Sequence, residues 1–223
     1  MSDPTDKVGY QIKDLKVALK QLEPMVKGKD LKGRLFLIDG NNSPSMAGVI
    51  PVTDGTVFRM RYREAWANLL FCAILGFTEG QDYTFQDDDT GDGIIVNRTK
   101  NFWFPVEHVS AMDYPKGKEL PKHEDRVIGA INLKIEKDLK NPGYAKGKSL
   151  IVFLDGAEEW YPNRVGRAIA GKHNFSRVYC IGLTSSKDVI YRYSISDLRP
   201  DHSPTWIIEI NDDFTDWELF RVQ

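Results

Sequence analysis

Residues 101–109 read NFWFPVEHV. Aromatic and β-branched side chains at this density suit a strand, yet Glu107 stands in the apolar half between Val106 and His108. Removing a carboxylate from water costs on the order of several kcal/mol unless something compensates it. What compensates Glu107 therefore decides how the fold and the function are understood.

Just upstream, DGIIVN at 92–97 has strand composition, and RTK at 98–100 is a turn of hairpin length. A symmetric turn centred between Thr99 and Lys100 pairs residues whose numbers sum to 199, so Asp92 faces Glu107. Directly opposed side chains have Cβ atoms roughly 5 Å apart. Two carboxylates at that separation repel by about 3 kcal/mol at an effective dielectric of about 20, which calls for a cation or a shared proton. A divalent ion such as Mg²⁺ meets that need with hard oxygen ligands. Two blander readings stay open: Asp92 as a solvated turn residue, and Glu107 at an edge or paired with Arg98.

Working outward, residues 62–75, YREAWANLLFCAIL, form an apolar helix that Gly76 closes. DYTF at 82–85 is a further strand. Residues 124–139 place Val127, Ile128, Ile131, Ile135 and Leu139 on one helical stripe, and NPG ends it. SLIVFL at 149–154 is a continuous apolar run, the mark of a strand buried on both faces and reached by a crossover helix. A helix at 162–171 follows, then strands RVYCIGL, VIYRYSI and finally TWIIEI at 205–210. Near the amino end, Ile12, Leu15, Leu19 and Leu22 have helical spacing with Pro24 close to the helix end, and a short strand RLFLI leads into a long proline-punctuated loop. The alternation predicts an α/β fold with a mixed central β-sheet flanked by helices. Residues 1–58 are expected as a helix and strand extension packed on a core formed by residues 59–223.

Composition narrows the function classes. With 41% hydrophobic residues in 223 the chain suits a packed globule. It has no apolar run of about 18 residues and its amino end lacks the regions of a signal peptide, so a cytoplasmic location without a membrane partner is expected. Cys72 and Cys180 sit inside apolar segments and are expected as buried free thiols. The net charge of -2 does not favour polyanions over the whole surface, so a site for nucleic acid has to be a local patch.

In the order helix, three strands, helix, strand, with Glu64 in YREAWANLL, Asp92 in GDGIIV and Glu107 in VEHV, the chain resembles the PD-(D/E)XK nuclease-like superfamily. The stretch KDLKNPGYAKGKSLIVFLDG at 137–156 looks like the helix, lysine-rich loop and buried strand that follow in such proteins. The resemblance implies a restriction-endonuclease-like αβββαβ core and a metal-dependent endonuclease that hydrolyses phosphodiester bonds, of DNA before RNA. It implies Mg²⁺ or Mn²⁺ held by Asp92, Glu107 and the backbone carbonyl of His108, with Glu64 assisting. It also implies phosphate contacts from Lys116, Lys118 and Lys122 in YPKGKELPKHED. The family lysine is missing, since its position is Val109, and Lys134 on the following helix is the candidate replacement. Self-association as a homodimer is left open.

Two other functional readings are carried. The chain can be a nuclease-fold module without catalysis that binds nucleic acid or a protein partner, to which Val109 and the near-neutral charge point. RLFLIDGNN also resembles the opening of PIN-like and NYN ribonucleases, which makes Asp39, with Asp155 later, the metal-binding acids of a ribonuclease.

Overall fold

The computed structural model describes residues 11–12, 14–27, 35–38, 49–50, 58–88, 91–111, 122–154, 159–185 and 190–223. Contacts divide the chain into two units, Met1–Val106 with Ile210–Trp217, and Glu107–Glu209 with Glu218–Gln223. The division falls inside the NFWFPVEHV strand. Helices and strands alternate in a mixed α/β arrangement, and among the described residues no helix is long and apolar enough to cross a membrane.

In the first unit the strands are β1 (Gln11–Ile12), β2 (Leu35–Ile38), β3 (Val49–Ile50), β4 (Phe58–Arg61), β5 (Tyr83–Gln86), β6 (Ile94–Asn97) and the start of β7 (Phe102–Ser110). Its helices are α1 (Leu15–Lys27) and α2 (Tyr62–Glu79). The strands run in the order β7-β6-β5-β1-β3, every pair antiparallel, with β2 and β4 forming a separate antiparallel pair. The β6–β7 register is the one the symmetric turn predicts: Ile94 pairs with Pro105 and Asn97 with Phe102, and Val106 N donates to Gly93 O at 2.9 Å. α2 buries Trp66, Leu69, Leu70, Phe71 and Ile74 almost completely, and each such side chain contributes about 1.5–3 kcal/mol through burial. Its Phe71 meets Phe104 of β7 edge-on and its Trp66 meets Phe214.

Two local expectations are corrected. Ile12 belongs to β1 and not to the first helix, which starts at Leu15 because Asp14 Oδ1 accepts from Lys16 N at 2.8 Å and caps it. Gly76 does not close α2, which continues to Glu79 and ends with Gly80 N donating to Gly76 O. A helix interior tolerates one glycine at a cost of about 1 kcal/mol when its flanks are this well packed.

The second unit holds the end of β7, α3 (His123–Lys140), β8 (Ser149–Leu154), α4 (Pro162–Ile169), β9 (Arg177–Ser185), β10 (Tyr191–Asp197), and most of β11 (Thr205–Ile210) and of β12 (Trp217–Arg221). Strand order is β12-β11-β10-β9-β8-β7. β8 and β9 are parallel and joined through α4, as a parallel pair requires, while β9 and β10 are antiparallel. Val109 of β7, Val127 and Ile131 of α3, Val152 of β8, Val165 of α4 and Cys180 of β9 share one core. β8 is buried along its whole length. Both cysteines are buried free thiols, and burial pushes both thiols up from their ordinary range. TWIIEI is not the last strand, because β12 follows it.

Candidate functional site

Strand alternation puts Glu107 on the same face of β7 as Val109, and Val109 is in the core with α3. Glu107 is therefore buried beneath α3 at 4% exposure. Both of its oxygens are engaged. Lys148, the residue before β8, donates to Oε1 at 2.7 Å, and Lys134 of α3 donates to Oε2 at 3.0 Å. The hydroxyl of Tyr144 also donates to Oε2 and accepts from Lys134 Nζ at 3.2 Å. Burial by itself raises this carboxyl, but the hydrogen bonds from Lys148 and Tyr144 and the charge of Lys134 outweigh it and hold the group down at about 2.

The loop that delivers Tyr144 and Lys148 is fixed from α3. Asp138, one turn beyond Lys134, accepts from Ala145 N at 2.8 Å and from Asn174 Nδ2 at 2.7 Å. Those two bonds hold the Asp138 carboxyl below its ordinary value. Tyr144 packs edge-on against Phe175, and its ring lies under three ammonium groups: Lys137 at 4.2 Å, Lys148 at 4.4 Å and Lys134 at 5.9 Å from the centroid. Each such contact adds about 0.5–1 kcal/mol. One carboxylate and one aromatic ring thus organise three cations.

Chemically, a carboxyl held at about 2 is a weak base near neutral pH and a poor agent of proton transfer. Both Glu107 oxygens accept from ammonium and phenol groups. Among the described residues, moreover, no group of three or more His, Cys, Asp or Glu side chains is placed to hold a metal. The surplus of positive charge suits an anion instead.

The residues singled out from sequence fall into four groups. Glu107 and Lys134 come together in the second unit as direct partners. Asp92 and Glu64 belong to the first unit, where Asp92 lends its backbone carbonyl to Asn68 Nδ2 at 3.2 Å. His108 is buried one residue after Glu107, and Lys122 is exposed at the N-cap of α3. Lys116, Lys118, Asp39 and Asp155 lie outside the described residues. Arg98 is not the partner of Glu107, since it forms a two-bond pair with Asp82 at 2.8 and 2.9 Å. Tyr144 and Lys148 were not singled out. Their only sequence signal is a lysine-bearing turn placed directly before a wholly apolar strand. No family model, curated protein or solved structure matches the chain.

Proposed function

We propose that this chain is an α/β module of nuclease-like architecture that binds the phosphodiester backbone of nucleic acid, DNA before RNA, through the lysines gathered around Glu107 and Tyr144. Charge is the observation that carries this reading: Lys134, Lys137 and Lys148 stand over one ring beside two buried carboxylates, Glu107 and Asp138, in a chain whose net charge is -2. That is the local patch a polyanion needs where the overall field offers none. The chain order α2, β5, β6, β7, α3, β8 supports the likeness to a restriction-endonuclease-like core. Lys122, exposed at the start of α3, adds a further phosphate contact. Free buried thiols suit a reducing, cytoplasmic setting.

Metal-dependent hydrolysis with Mg²⁺ or Mn²⁺ is the second reading. It is favoured by one observation, that Lys134 reaches Glu107 from α3, where the resemblance requires a substitute for the lysine missing at Val109. Fluorescence anisotropy with a labelled DNA duplex tests the first reading. Binding should weaken steeply between about 50 and 200 mM salt and weaken further in the Lys134→Gln/Lys137→Gln double variant; no binding at low salt refutes it. Plasmid nicking with Mn²⁺ or Mg²⁺, lost in Lys134→Gln, would move the assignment to the second reading.

A further inference from the structure

A cavity of about 420 Å³ opens in the second unit past the carboxyl ends of β8 and β9, beside the start of α4. In α/β sheets this is where ligands settle, and the volume falls within the roughly 300–1,000 Å³ of small-molecule sites. Its floor is one face of the sheet. Ser194 pairs with Gly182 and Ser196 with Cys180, and Cys180 lies in the core shared with α3 and α4, so Gly182, Ser194 and Ser196 face the same side. Small side chains keep that floor low: β9 approaches β8 so closely that a Cβ on Gly182 would lie 2.7 Å from Leu154 Cβ. Trp160 and Glu159, just before α4, line the cavity together with Thr205.

The chemistry of the lining selects the ligand. The Ser196 and Thr205 hydroxyls share a 2.9 Å hydrogen bond, and Thr205 Oγ1 also lies 3.2 Å from Ser203 O, so the sheet face presents hydroxyls that can both donate and accept. Glu159 contributes a carboxylate, and among the described residues no lysine, arginine or histidine lines the cavity. A pocket lined by hydroxyls, a carboxylate and an indole, without a basic side chain among the described residues, disfavours phosphate and suits a neutral ring that carries several hydroxyls and one apolar face. We infer that this cavity binds a sugar ring, free or as part of a nucleoside. The site shares no residue with the Glu107 cluster and does not depend on it.

Isothermal titration of the full chain with adenosine, ribose and glucose tests the inference. Saturable binding of at least one probe is expected, and adenosine alone among the three would mark a nucleoside site. Ser194→Leu fills the floor and should abolish binding with an unchanged melting temperature and unchanged DNA binding; Trp160→Phe should weaken it while keeping an aromatic wall. No saturable binding of any probe overturns the inference. So does wild-type affinity in Ser194→Leu, or tight binding of inorganic phosphate that adenosine and both sugars fail to displace.

Discussion

Lys148 Nζ lies 2.7 Å from Glu107 Oε1. The cation nearest this acid thus comes from the residue just before β8 and not from position 109 of its own strand. Val109 is free to pack in the core because Lys148 and Lys134, only 23% and 15% exposed, supply the charge from the neighbouring strand and helix. A carboxylate at this depth with neither lysine would be destabilising.

That arrangement predicts a specific acid response. The ordinary glutamate value is 4.5 and Glu107 is held at about 2, a gap worth roughly 3 kcal/mol of stability at neutral pH. Because the folded value is the lower one, the contribution is complete above about pH 4.5 and is lost as pH falls towards 2. Urea unfolding at pH 7 and pH 3 should show the wild type losing about 2 kcal/mol more than Glu107→Gln over this interval. Equal losses would mean that Glu107 is not held ionised by its partners.

The two lysines are unequal. Lys148 donates at 2.7 Å against 3.0 Å for Lys134, and its hydrogen bond is the largest single influence lowering the Glu107 carboxyl, whereas Lys134 acts through two smaller ones, its charge and its hydrogen bond. Lys148→Met should therefore raise the Glu107 titration midpoint, followed by carbon-13 NMR of the carboxyl, more than Lys134→Met does. Each should cost about 1–3 kcal/mol, since one lysine remains in either case. A larger rise in Lys134→Met would place the dominant cation on α3.

Gly93 locks the entry to β6. Its φ of +137° is a backbone state that suits glycine, and a Cβ there would come within 2.5 Å of Asn68 Nδ2, the same group that bonds Asp92 O. Gly93→Ala should lower stability by about 1–3 kcal/mol. The Asn68→Ala/Gly93→Ala double variant should recover the part due to the clash, measured as a coupling between the two changes by chemical denaturation. Additive losses would assign the whole cost to the backbone.

Much of the fold was legible because it rests on local periodicity. The runs 82–85, 94–97 and 102–109, the stripe Val127–Ile128–Ile131–Ile135 and the unbroken SLIVFL each name their element, although Leu139, the last member expected on that stripe, is exposed. The short turn after Asn97 fixes the β6–β7 register by symmetry alone. Lys134 was legible as a candidate because α3 follows the acid-bearing strand. Tyr144 and Lys148 were not, because their positions depend on a long-range bond: Asp138 seizes Ala145 N and Asn174, which are distant in kind from any repeating pattern. β12 escaped for a simpler reason, being exposed or half-buried at every position and without the apolar alternation that marks a strand. The division between units falls within one strand, where composition does not change.

Tyr144 separates the two roles of the cluster. Its hydroxyl belongs to the Glu107 network, whereas its ring carries Lys137, Lys148 and Lys134. Tyr144→Phe removes only the first, so Glu107 should titrate higher and the protein lose about 1–2 kcal/mol while DNA affinity stays near wild type. Tyr144→Ala removes the ring as well, and the three ammonium groups lose the surface that holds them together. DNA affinity should then fall, and because Lys137 no longer keeps its place the slope of log affinity against log salt should become shallower by about 1. Anisotropy titrations at several salt concentrations measure both quantities on the same samples. If Tyr144→Phe abolished DNA binding with stability intact, the hydroxyl itself would be contacting the nucleic acid, and the ring-borne lysine cluster would lose its place as the binding surface.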